Sequence, residues 1–221
     1  MLKFLFKWLL RLFLAAIVLL VILLLSLNSM LRAVAEHNIR KQTGMDAEIG
    51  KFSVGLLSPT VEIQDLKIYN STNFGGTPFL NIPEIHVEYD RDALARHQFH
   101  ITLMRFNLAE LDIVKNEAGQ TNIFALGVPL PKKNHQAGAD VAEFKRRTGL
   151  TFQSIDVLNV SIGTAKFIDL KDQRNNRSQR IDIQGLPIRN VKSIDDLAGL
   201  MVLVALRGGD FFGSLLAPPG H

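Results

Sequence analysis

Residues 101–123, ITLMRFNLAELDIVKNEAGQTNI, decide how the chain folds. Ile101 and Leu103 alternate as they would in a strand. The phase then slips by one, and Phe106 and Leu108 alternate. It slips again before Leu111 and Ile113. Alternation with a period of two is the strand signature, and a slip of one residue sends side chains to the opposite face of a sheet.

The same pattern, apolar-x-apolar-x-x-apolar-x-apolar, recurs on both sides of this stretch. It falls at Ala47/Ile49/Phe52/Val54, Val61/Ile63/Leu66/Ile68, Leu80/Ile82/Ile85/Val87, Ile101/Leu103/Phe106/Leu108, Ile155/Val157/Val160/Ile162 and Ile181/Ile183/Leu186/Ile188. Four of the six copies have no apolar residue at any x position, where chance allows roughly one such match in the chain. Ile101, Met104, Leu108 and Leu111 also fit a helix, but the Ile/Val-rich copies, with Pro83 and Gly185-Leu186-Pro187, favour strands. A β-bulge, one extra residue in each strand, would return both apolar pairs to one face and bend the strand. The expectation is a mainly antiparallel, curved sheet over 45–192 with a few short helices, an α+β domain.

The connections fit this reading. SPT joins the first two strands and NSTNFGGTP is a Gly-rich loop. DRDALARHQF predicts a helical turn, KNEAGQTN a turn, and IFAL a return strand. Residues 127–149 predict a loop and a helix capped by Asp140 and stopped by Gly149. Ser193 and Asp196 form a capping arrangement for a docking helix ending at Gly208-Gly209, within a terminal segment 193–221.

The amino-terminal stretch 1–31 predicts a transmembrane anchor, with a juxtamembrane helix over 32–44. Between Arg11 and Arg32 lie about 20 residues without charge, the length that crosses a bilayer core. Lys3, Lys7 and Arg11 precede this run, so the amino terminus is expected in the cytoplasm and the domain across the membrane. Ala33-Val34-Ala35 offers a rival signal-peptide cleavage motif, but the apolar run is long for one.

Composition narrows the chemistry. With 25 basic residues against 21 acidic ones, scattered along 221 residues, a nucleic-acid binder is not expected. The absence of cysteine excludes disulfides and thiolate sites. His97 and His100 are spaced like two metal ligands on a helix but read as a surface turn, and Asp169 and Asp172 read as the solvated end of a hairpin. No nucleophile elbow, P-loop or dinucleotide fingerprint occurs. No cofactor, metal or enzymatic activity is expected.

Burying one Val, Leu or Ile is worth roughly 1.5–3 kcal/mol, so an apolar sheet face must be covered. The chain's own helices, lipid acyl chains, or another protein or copy joined through the face or edge could each cover it. The candidate lipid-facing residues are Leu66, Ile68, Ile85, Val87, Ile101, Leu103, Phe106, Leu108, Val160 and Ile162.

From the apolar amino-terminal run to about Phe124 the chain resembles the amino-terminal module of AsmA-like envelope proteins. The resemblance lies in AEIGKFSV, VEIQDLKIYN, LNIPEIHVEYD and ITLMRFNLAELDIVKNEAGQTNI, with Gly119, Gln120, Thr121 and Asn122 as its G-x-T-N turn. LNVSIGTAKFIDLKD is similar to that family's next strand pair. The resemblance implies a single-pass bacterial inner-membrane protein with a periplasmic domain, akin to bridge-like lipid-transfer proteins whose grooves carry phospholipid toward the outer membrane. Family members are usually much longer, so a short lipid-handling adaptor, or a structural subunit pairing with other envelope proteins or itself, is expected rather than a full bridge.

Overall fold

The computed structural model describes residues 29–41, 43–55, 58–125, 145–146, 148–209 and 211. The predicted span therefore lies outside the described residues except for 29–31, as does the Asp140 cap. No helix among the described residues is long and apolar enough to cross a membrane.

The domain is α+β, built on one six-stranded sheet with strands in chain order. Helix α1 (29–41) ends at Gly44, whose φ of 69° suits a glycine. Strands β1 (Asp46–Val54), β2 (Thr60–Tyr69), β3 (Pro78–Tyr89) and β4 (Gln98–Lys115) form an antiparallel meander. Helix α2 (Arg91–Ala95) joins β3 to β4, its first N–H groups capped by the Asp90 carboxylate. β5 (Thr151–Asp169) lies parallel to β4, and β6 (Arg177–Val191) returns antiparallel beside it.

Two expectations are corrected here. LNVSIGTAKFIDLKD is not a strand pair, because β5 runs unbroken through Gly163. IFAL does not return as a strand; Asn122–Ala125 forms a helical turn, α3, after a single bridge between Lys115 and Thr121. The predicted terminal helix begins as a 3-10 turn over Ile194–Leu197 and continues as α4 (Ala198–Gly208). The Asp196 carboxylate accepts from the backbone N–H groups of Lys192 and Ser193.

The repeated phase slip is real, but its device differs from the expected bulge. β1 and β2 keep one register from Asp46↔Tyr69 to Val54↔Val61, with no extra residue, yet Gly50 and Asp65 drop out of the ladder. Asp65 has a φ of 53°, a left-handed turn that Asp tolerates, and both strands change phase together. The interruption continues through Pro83 and on to Ala109 and Gly163, making a seam across five strands. In β6, register shifts do occur, beside Asp182 and Gly185 at φ of 50° and 56°. Inward-facing residues are three apart across the seam, as at Ile49/Phe52, Ile63/Leu66, Ile82/Ile85 and Leu108/Leu111, so the apolar pairs share one face.

Helices close parts of that face. Ala35 and Ile39 of α1 pack against Ile49, Leu66 and Ile82. Leu200, Leu203 and Val204 of α4 pack, with Phe211, against Ile113, Ala165, Ile181 and Ile183. The same helices attend to the sheet edges. Ile49 donates its backbone N–H to Glu36 at 2.9 Å, and Arg32 reaches the Gly50 carbonyl at 3.3 Å. On the opposite edge Arg207 donates to the carbonyls of Ile181 and Asp182. Edge groups occupied in this way are poor templates for strand addition.

Candidate functional site: the apolar face

Between the α1 and α4 flanks the floor is made by β3, β4 and β5. Ile85 faces Phe106, Val87 faces Met104, and Phe106 faces Val160 across the ladder. Ile85, Val87, Met104 and Phe106 are only half-buried, whereas Ile49, Leu66 and Ile82 on the α1 flank are buried. The other face is polar. Lys51 pairs with Glu62 at 3.7 Å, Arg105 with Glu84 at 3.1 Å and His86 with Glu88 at 3.0 Å.

Nine of the ten sequence-predicted positions fall on the apolar face. Leu66 is buried with Ile49 and Ile82, and Ile68, Ile85, Phe106 and Leu108 pack against them. Val87 continues the Ile85 row, and Val160 is buried in a cluster with Leu158 and Val191, with Ile162 against it. Ile101 is buried opposite Ile155, itself packed on that cluster. Leu103 is the exception. It pairs with Glu88 and Val157 in a regular stretch, so alternation puts it on the polar side, opposite Met104, Phe106 and Leu108. The ladder already skips at Thr102 and Asp156, one step earlier than the repeated pattern implies. Met104 and Leu158 are thus the floor residues the template missed. The signal for them was the strict alternation Met104-Phe106-Leu108 and Leu158-Val160-Ile162.

Polar groups gather at one end of the sheet. The turn after β4 is closed by Asn116, whose Oδ1 accepts from the Gln120 N–H, with Gly119 at a φ of 82°. Asn122 is fully buried: its Oδ1 accepts from the Val114 N–H at 3.0 Å, and its amide donates to Asn70 Oδ1 and the Asp112 carbonyl, each at 2.8 Å. The G-x-T-N sequence thus ties the β4 turn to the end of β2. Asp169 is buried rather than solvated, accepting from the N–H groups of Lys171 and Asp172 and the Asn175 amide.

Asp112 is 6% exposed, and its Oδ1 has no hydrogen-bond partner. Burial first, then repulsion from Glu110, pushes its carboxyl up to about 6, with Lys166 opposing. A carboxyl whose folded pKa exceeds its unfolded one binds its proton more tightly in the folded state. Stability therefore falls as pH rises from about 4 through 6, and the full penalty holds above that. Asp112→Asn is expected to gain about 1–3 kcal/mol at pH 7–8. Urea titrations across pH check this, and the gain should vanish near pH 4.

His97 and His100 do not share a helix. His97 occupies the turn before β4 with a φ of 59°. His100 is held by Asp156 on Nε2 at 2.8 Å and faces Asp90 from Nδ1 at 3.5 Å, which uses both ring nitrogens. The hydrogen bond that His100 donates to Asp156 is the chief cause that raises its pKa. No group of three or more potential metal-binding side chains occurs among the described residues.

The arrangement defines a class only by architecture: an α+β domain whose sheet presents one apolar face between two helices. No protein-family model, curated protein or solved structure matches the chain.

Proposed function

We propose that the chain is a single-pass inner-membrane protein of the AsmA-like type, its periplasmic sheet curved along the seam to hold phospholipid acyl chains in envelope lipid transport or outer-membrane maintenance. The observation that carries this reading is the row Ile85, Val87, Met104 and Phe106, half-buried between two helical flanks. Ladder interruptions on successive strands are the means by which a sheet is bent. Apolar side chains without polar groups suit acyl chains and carry no chemistry, so the activity is binding or passage rather than catalysis. The alternative is a subunit whose sheet face or edge pairs with partner protein; its edge form is disfavoured because Glu36, Arg32 and Arg207 occupy edge groups.

Phospholipid extracted from detergent-purified protein and measured by mass spectrometry tests the proposal. Phe106→Asp places a carboxylate against the chains at a cost of several kcal/mol, and bound lipid should fall at least about tenfold. Leu103→Asp, on the polar side, should leave lipid unchanged. Equal loss in both variants, or no lipid in the parent protein, overturns the reading.

A further inference from the structure

We propose that α4 lies in the headgroup zone of the bilayer, its outer side among lipid, so that the apolar face is held next to the membrane. This rests on the reading of residues 12–31 as a retained span.

Apart from Arg207, which is turned to the sheet edge, α4 is apolar on both sides. Leu200, Leu203 and Val204 pack on the sheet, while Met201, Val202 and Leu206 are 53%, 59% and 74% exposed. A helix apolar all round belongs in apolar surroundings on both sides. α1 has the same character over one half only. Met30, Leu31 and Val34 are exposed beside Arg32, which pairs with Glu36, and the exposed side is then polar at His37, Asn38 and Lys41. Apolar exposure on α1 therefore ends within one turn of the uncharged run that closes at Arg32. Both helices pack on the same face of the sheet, so the exposed apolar residues of α4 share one side of the domain with Met30, Leu31 and Val34, which selects lipid as the occupant.

A second copy fits less well. The 11 residues of α4 present a strip about 16 Å long and about 10 Å wide, far below the roughly 800 Å² per partner of a stable interface. A bilayer needs no complementary shape, and interfacial helices bury one side roughly 5–10 Å deep.

The chain has no cysteine, so a single one can be placed and labelled with an environment-sensitive dye. Full-length Val202→Cys, Leu31→Cys and Lys67→Cys proteins are reconstituted in phosphatidylcholine–phosphatidylglycerol vesicles carrying headgroup nitroxides. The proposal expects emission lost at 202 and 31 and retained at 67, on the polar face. An unquenched label at 202 overturns it. Quenching kept at 31 then leaves the span reading intact, and none at 31 removes that reading too. Equal quenching at 67 and 202 also overturns the proposal. So does a blue-shifted, unquenched signal at 202 that grows with protein density, which identifies a second copy.

Discussion

Asn122→Ala is expected to cost about 3–4 kcal/mol, a large effect for a polar substitution. The side chain is 0% exposed and satisfies three groups at once. Its removal leaves the Val114 N–H without a partner in a site closed to water, and an orphaned buried donor alone costs about 1–3 kcal/mol. The Asn70 side chain and the Asp112 carbonyl lose their donor as well. Asn122→Asp restores only the acceptor to Val114 and adds a buried charge, so it should fare no better. Thermal unfolding followed by circular dichroism checks both variants, with a fall of roughly 10 °C expected. A change within a degree or two would mean that the turn after β4 is not tied to β2 as described.

Gly163→Val should be comparably damaging for a different reason. A Cβ at Gly163 would stand 2.4 Å from the Ala109 carbonyl oxygen, a backbone atom that cannot step aside without moving β4. Overpacking against backbone costs about 3 kcal/mol or more, and the strain falls on the seam itself. Gly50 is the same device at the other end, where a Cβ would meet Asp65 Cβ at 2.8 Å. If the two strands approach closely at the seam, Gly163→Ala should already be destabilising in urea titrations. Wild-type stability in Gly163→Ala would show that the strands do not approach there.

The rhythm of apolar residues was enough to find the sheet and most of its inward face. Ile49, Leu66, Ile82, Phe106 and Val160 all stand where the pattern put them, because burial on one side leaves its period in the residues. What the rhythm could not locate was the step at which each strand turns over. In β4 that step comes at Thr102, so Leu103 and Met104 exchange faces although both are apolar. The mechanism of the step was also hidden, since a paired slip at Gly50 and Asp65 looks in sequence like a bulge in either strand. The parallel pairing of β4 with β5 was not legible, because alternation within a strand does not tell a parallel neighbour from an antiparallel one. LNVSIGTAKFIDLKD resembled a strand pair, whereas the missing side chain of Gly163 makes room for Ala109 inside a single strand. Asn122 was visible only as part of a turn, because a buried amide bonded to distant backbone leaves no local pattern.

Photo-crosslinking along β4 measures the central claim most directly. A benzophenone amino acid placed in turn at each position from 103 to 108 in cells should give phospholipid adducts at 104, 106 and 108, and none at 103, 105 and 107. Adducts to lipid at both parities, adducts to protein alone, or no adducts on the 104–106–108 row would contradict an acyl-binding face.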